Sequence, residues 1–581
     1  MIVFGKRDRA TDPRDLLGDV AARLRAAAAG RDRTRHEALA AALIAAGMLL
    51  QGLADAAFSE AGADAPAPDQ DAATALMLAL AEAVDASWAS GFRGPVPDGE
   101  PAMSTLAALA LPARITARWC EGFAFYATYP ETYAMAARRS DLGPETLVIG
   151  IRSIGAPLAA MVAAGLGSRR IITVRPVGHP FGRELALSEA LAAEIRAWTG
   201  PVAVVDEGPG LSGSSFGAVL DALDRLGVAE ERITLFPSHD GAPGAQAGAA
   251  QRRRWDRMRQ HIVSADAVIG APEQGLAAWV SEGAGAALEE VSGGAWRRHL
   301  YADTADWPPV NAWQERRKFL WRQDNRTWYL KFAGLGAPAE AKLARARTLS
   351  AAGFIPAVVG LRHGFLVERW HGTAMPLQAA DGSAWLERIG DYLGYRARTF
   401  PAGAKDGAEN GANLQALMAM ARHNVLTALG KPAAATLDRW TPGRLTALER
   451  SVRRVETDNR MQPWKWLALP DGRLLKADAL DHAAGHDLVG CQDIAWDVVG
   501  AAEEFGLSEN ARVYLAGRVE VAGDRAIDPE LIACLTPCYL AFQVGSLTLA
   551  LGATGDPAET ARLRRRLDTM TERLCRVLAQ P

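Results

Sequence analysis

Four short apolar runs at 146–151 (TLVIGI), 170–176 (RIITVRP), 201–207 (PVAVVDE) and 232–238 (RITLFPS) alternate with helical stretches. The clearest of those stretches are 187–200 (LSEALAAEIRAWTG) and 216–231 (FGAVLDALDRLGVAEE). Runs this short and this apolar, rich in Val and Ile, are buried on both faces as strands. Regular alternation with helices then dictates a mostly parallel sheet covered on both sides. In such sheets ligands collect where loops leave the carboxyl ends of the strands. The Gly, Ser and charged residues of this region fall at those positions.

The flanks follow other patterns. Up to about residue 135 apolar positions recur at helical spacing, with AGADAPAPDQD as a linker, and nothing there has the chemistry of a site. This part reads as a packing or substrate-covering module for its neighbour. From Trp313 onward KFLWRQDNRTWYLKFAG reads as a hairpin turning at Asp324 and Asn325, followed by helix AEAKLARARTLSAAG, strand-like GFLVERW, and then mostly helices. A β-rich small lobe before a helical large lobe suggests a two-lobed nucleotide-binding unit. The expected class is multidomain α/β and α+β: a helical region at 1–130, an α/β domain at 131–290, a linker at 291–312 whose aromatics argue that part of it packs, and a two-lobed domain at 313–581.

Composition narrows the function. A chain of 581 residues exceeds one domain, and its net charge of −3 argues against a broadly basic nucleic-acid binder. The five scattered cysteines suggest neither a disulfide framework nor a structural zinc, which fits a reducing cytoplasm. Cys534 and Cys538, one helical turn apart, offer either two thiolates or buried packing. The charged start lacks the apolar core of a signal peptide. The apolar run Ala38 to Leu50 falls short of the roughly 20 residues that span a bilayer, so no membrane segment is expected. A homo-oligomer is compatible with all of this.

The first chemical constellation is VAVVDEGPGLSGSS, 202–215. A buried strand ends in Asp206 and Glu207, and a loop holding Gly210, Ser212, Gly213, Ser214 and Ser215 leads into a helix. Backbone N–H groups and a helix N-terminus can cradle a phosphate, while the two acids face ribose hydroxyls or a metal. A tight Gly-rich turn in an unrelated α/β domain is the alternative. The segment resembles the phosphoribosyl-diphosphate (PRPP) motif of type I phosphoribosyltransferases, departing from it in the second acid, an inserted Gly-Pro step, and Ser in place of Thr. GIRSIGAPLAA, with Arg152 and Ser153, resembles that family's diphosphate loop. TVRPVGHPFGRE, with Arg175, His179 and Arg183, resembles its mobile loop. The resemblance covers about 130–270 and implies PRPP with Mg²⁺, and displacement of diphosphate from the ribose C1 by a nitrogen nucleophile.

The second constellation pairs Lys331, on the strand after the hairpin, with Glu340 at the start of the next helix. A strand lysine that binds nucleotide phosphates and a helix carboxylate that orients it are what protein-kinase-like enzymes require, and a surface ion pair is the bland alternative. GFLVERWHGTAM resembles the hinge of aminoglycoside phosphotransferases and choline kinases. VETDNRMQPWKWLALPDGRLLKADALDH resembles their catalytic region. The resemblance implies ATP and Mg²⁺, with Asp458 as catalytic base, Asp478 as metal ligand, and Asp497 in QDIAWDVVGA bracing the catalytic loop. Glu456-Thr457 replaces the family's His-Gly, and the metal-binding Asn is missing from its usual offset, with Trp464 and Lys465 nearby. Asp481, His482, His486 and Asp487 either add ligands or form a solvated loop. Together the constellations suggest a bifunctional transferase acting on small molecules; the competing reading is a regulatory protein that binds nucleotide and sugar phosphate without turnover.

Overall fold

The computed structural model describes residues 8–97, 99–280, 287–311, 314–323, 326–377, 384–403, 411–483 and 489–580. The expected hairpin turn at Asp324 and Asn325, and the pair His486 and Asp487, lie outside the described residues.

The central run folds as a five-stranded parallel sheet. Numbered from Leu147–Ile151, through Ile171–Val174, Val202–Val205, Ile233–Phe236 and Arg259–Gln260, its strands stand in the order 2-1-3-4-5. Alternate residues leave opposite faces of each strand. Val148, Ala203, Val205 and Phe236 pack beneath helices Asp32–Ala61, Pro68–Ala89 and Gly155–Leu166, while Leu147, Ile149, Val204 and Leu235 pack against Phe216, Leu220 and Trp255. The helical region before 130 therefore forms one covering layer of the sheet rather than a core of its own. The strand order reverses between Leu147–Ile151 and Val202–Val205, which opens a crevice at their carboxyl ends.

Three helices, Asp32–Ala61, Pro68–Ala89 and Pro529–Ala553, are long and apolar enough to cross a bilayer, which corrects the length argument made from Ala38 to Leu50 alone. Within the fold, 83% of the apolar window of the first and 61% of each of the others are buried against protein.

The second half begins earlier than the sequence boundary at 290. Leu288–Glu290 pairs with Lys318–Gln323, which continues into Arg326–Phe332, Phe365–Arg369 and Val358–Arg362 to complete a five-stranded antiparallel sheet. The linker packs, as its aromatics require: Trp296 and Leu300 share a core with Leu320, Leu467 and Leu475, and buried Arg297 pairs with Glu559 at 2.9 Å. Below the sheet a helical lobe is built around Tyr392, Trp440, Trp466, Trp496 and Tyr539.

The halves pack closely. Trp88, Tyr129 and Trp279 share a core with Phe332 and Phe365, the Tyr129 hydroxyl donates to the His363 carbonyl at 2.6 Å, and the Leu335 N–H donates to the Phe123 carbonyl at 2.9 Å.

Candidate functional site

The cleft between the antiparallel sheet and the helical lobe holds the densest charge network. Pairing within the sheet sets Lys318 opposite Lys331, so both ammonium groups leave the same face. Two like charges at such a pair repel unless each has a partner. Lys318 meets Glu315 at 2.5 Å; Lys331 meets Asp481 at 2.6 Å and also pairs with Asp478. Asp478 takes Lys465 on its other oxygen, and Asp481 takes Lys342 at 3.1 Å. Burial alone would raise both aspartates, but the surrounding lysines hold each carboxyl well below the usual range. The lysines divide. Burial pushes Lys318 and Lys342 down to about 8, while Asp478 and Asp481 outweigh burial at Lys331 and raise it.

Around this network lie two adjoining chambers. One is walled by Leu366, Glu368, Trp370, Lys331, Lys342 and Asp478, which includes the expected hinge strand. The other is lined by Arg316, Arg460, Gln462 and His482, and shares Lys318, Lys331, Trp464, Lys465, Asp478 and Asp481 with the first. Mg²⁺ is usually held by one or two carboxylates together with substrate phosphates. The donor set fits that habit, with Asp478 and Asp481 side by side at Lys331. Three lysines, Lys331, Lys342 and Lys465, against Asp478 and Asp481 leave this cluster with a surplus of positive charge.

Two sequence expectations are corrected here. Glu340 does not reach Lys331: it sits on the exposed face of helix Ala337–Ala351 and pairs with Arg23 of the N-terminal region at 2.8 Å. Residues 340 and 342 are two apart on the helix and so face different directions. The inward position belongs to Lys342, whose ammonium donates to the Ala333 and Ala124 carbonyls at 2.6 and 3.2 Å. Asp481, from the other lobe, supplies the carboxylate expected of Glu340.

Asp458 does not face the cleft. Its side chain is fully buried, paired with equally buried Lys476 at 3.2 Å, and it accepts from the Tyr392 hydroxyl and the Arg460 N–H. It lines neither chamber. Both carboxylate oxygens are engaged within the lobe and the side chain is fully buried, so in this arrangement Asp458 fixes its loop rather than meeting an acceptor. Asp497 braces that loop as expected, accepting from the N–H groups of Asp458 at 2.6 Å and Asn459 at 2.8 Å. Burial and the charge of Asp458 push Asp497 up to about 7.

His482 lies where the loop meets the cleft, with Nδ1 3.1 Å from the Asp458 carbonyl and Nε2 3.7 Å from Asp478. A carbonyl only accepts, so Nδ1 carries the proton and Nε2 keeps its lone pair. Burial, helped by Arg460 and opposed by Asp478, holds the ring well below its ordinary range and therefore neutral.

At the crevice of the parallel sheet, Asp206 and Glu207 follow strand Val202–Val205. Burial raises them to about 7 and about 8, with each other's charge adding at Glu207. Gly122 comes so close that an added Cβ would lie 2.7 Å from the Glu207 carboxyl carbon. The loop turns through Gly210 and Gly213, at φ 57° and 68°, into helix Ser214–Arg225. A hairpin, Val177–His179 with Gly182–Glu184, lies over it: Ser212 and Ser214 donate to the Pro180 carbonyl at 3.2 and 2.6 Å, and Arg183 donates to Ser215 at 2.6 Å. His179 stays on the exposed hairpin, where its Nδ1 accepts from the Phe181 N–H at 3.2 Å.

Arg152 and Arg175 are not free for a diphosphate, which corrects their expected role. Arg152 is fully buried, bonding Asp55 at 2.9 Å, Asp64, and the Thr173 carbonyl at 3.0 Å. Arg175 pairs with Asp55 at 2.5 Å and donates to the Arg152 carbonyl at 2.8 Å and Ser153 Oγ at 3.3 Å. Asp55 and Asp64 carried no sequence signal, since lone acids at a helix end and in a linker read as solvated.

No family model matches the chain, and no curated protein matches it. Among solved structures it is similar to a choline kinase from Streptococcus pneumoniae, at 15% identity and TM-score 0.32, covering 44% of this chain and 89% of that one. A choline/ethanolamine kinase family protein from Mesorhizobium loti gives 16%, 0.31, 45% and 88%. An aminoglycoside phosphotransferase from Streptomyces rimosus gives 18%, 0.25, 41% and 92%. At these values the likenesses assign neither family nor activity, and none of the three is a phosphoribosyltransferase.

Proposed function

We propose that the second half is an ATP-dependent phosphotransferase acting on a small-molecule hydroxyl. The observation that carries this reading is the Lys331, Asp478 and Asp481 network between the hinge-walled chamber and its neighbour. A phosphoryl group at Lys331 would stand at the junction of a nucleotide space and an acceptor space. Asp478 and Asp481 would hold Mg²⁺ arriving with the nucleotide, and the ion would neutralise charge on the transferring group. Lys331 and Lys465 orient the phosphates. Nε2 of His482, facing the acceptor space with its lone pair free, takes up the hydroxyl proton; the demand on it is modest where the transition state is loose.

Labelled ATP incubated with a pool of small metabolites tests this reading. Wild type yields a labelled phosphorylated product, and His482→Ala lowers turnover roughly 100-fold or more while ATP still binds. Binding of MgATP without turnover of any acceptor would favour a nucleotide sensor instead, the reading that the buried Asp458 supports.

For the parallel sheet, the Asp206–Glu207 step and the hairpin-covered Ser loop support a sugar-phosphate site, with PRPP as the co-substrate that the loop chemistry suits. Calorimetry with PRPP and Mg²⁺ tests it. Unchanged affinity in Asp206→Asn/Glu207→Gln would remove that placement.

A further inference from the structure

We propose that the second chamber binds an anionic, hydroxyl-bearing acceptor of the sugar-phosphate kind. This rests on the phosphotransferase reading above.

Of the acids that line this chamber, Glu315 is committed to Lys318 and also accepts from the Trp296 indole and the Gly294 N–H, each at 2.7 Å. Asp478 and Asp481 are committed to Lys331, Lys465 and Lys342. Lys318, Lys331 and Lys465 thus balance Glu315, Asp478 and Asp481 within the lining. Two charges are left over. Arg316 and Arg460 line the chamber and make no ion pair with a carboxylate among the described residues. Arg316 rests its guanidinium 4.4 Å above the Phe125 ring, which holds it in place without neutralising it. A partly enclosed space with two surplus guanidinium groups excludes a cationic acceptor and favours one that carries a phosphate, for which the planar guanidinium fork is suited.

The hydroxyl follows from the phosphotransferase reading, whose acceptor must carry one. A ligand with both a phosphate and a hydroxyl would set the first on Arg316 and Arg460 and the second toward His482, which line the same chamber.

Calorimetry on the full chain, with sn-glycerol 3-phosphate, inorganic phosphate and tetramethylammonium as probes, each with and without saturating MgADP, tests the assignment. Glycerol 3-phosphate is expected to bind and tetramethylammonium not to. Arg316→Gln/Arg460→Gln should weaken glycerol 3-phosphate by roughly tenfold or more while ADP affinity stays within about twofold. Binding of tetramethylammonium in preference, no binding of glycerol 3-phosphate, or full affinity in the double variant would each overturn the proposal. Loss of ADP binding together with glycerol 3-phosphate would overturn it too, by assigning the arginines to the nucleotide. A wild-type protein that binds the sugar phosphate but no ADP would instead sink the nucleotide reading.

Discussion

Replacing Asp481 with Asn probes the network where it is most exposed to failure. The carboxylate serves Lys331 at 2.6 Å and Lys342 at 3.1 Å, and the amide keeps its shape while removing its charge. Taking one partner from a buried ion pair costs about 3–5 kcal/mol. Two features lower this figure: Lys331 retains Asp478, and Lys342 retains two backbone carbonyls. Lys342, already down to about 8, also escapes part of the penalty by losing its proton, at about 1.4 kcal/mol per pH unit. A net loss of about 2–3 kcal/mol at pH 7 follows. The pH dependence is diagnostic. In the folded wild type Lys342 lies below its unfolded value of about 10.4, so unfolding takes up a proton between about pH 8 and 10, and wild-type stability from this group rises with pH across that window. By pH 9.5 Lys342 is largely neutral in both proteins, and the gap between them should shrink to the Lys331 share, about 1–2 kcal/mol. Urea denaturation followed by tryptophan fluorescence at both pH values reads this. A loss under about 0.5 kcal/mol at pH 7, or a gap that widens toward pH 9.5, would refute the network as described.

Three further outcomes are expected. Mg²⁺ alone should bind weakly to the lysine-rich cleft and tightly only with ADP present, in calorimetry with each component added first; tight binding of the bare metal would contradict the charge balance drawn here. Ribose 5-phosphate binding at the parallel sheet should strengthen from pH 6.5 to 9, as Asp206 and Glu207, at about 7 and 8, become charged acceptors, and the slope should vanish in Asp206→Asn/Glu207→Gln. Over the same rise their contribution to folding falls, because unfolded carboxylates are already ionised above about pH 4 and only the folded state still holds the protons. Asp64→Ala, which strips one partner from buried Arg152, should cost about 3 kcal/mol in a denaturant titration while ADP affinity holds; a loss below about 1 kcal/mol would show that Asp55 alone suffices.

The parts legible in the sequence were those governed by local pattern. Val202–Val205 and Ile233–Phe236 carry their burial in their composition, and the Lys318–Gln323 and Arg326–Phe332 hairpin carries it in spacing. Lys331 and Asp478 stood out because one interrupts and the other follows such a strand, and the fold pairs them. What was lost depended on contacts across long separations. Nothing local distinguishes Glu340 from Lys342; only the packing of their helix turns one outward to Arg23 and the other inward to Asp481. Asp458 sits in a loop that looked open, but Tyr392 and Lys476, 66 and 18 positions away in sequence, close over it. Arg152 followed a strand as a ligand-binding residue would, and its partners came from a region with no recognisable site.

The most direct test of the cleft assignment is a crystal structure of the full chain with Mg²⁺ and a non-hydrolysable ATP analogue. The account predicts the adenine against the backbone of strand Phe365–Arg369 and Trp370, the phosphates on Lys331, and the ion on Asp478 or Asp481, with Lys465 displaced from Asp478 toward the phosphates. An analogue bound elsewhere, or a cleft in which Lys331 and Lys465 keep Asp478 between them with no nucleotide beside it, would contradict it.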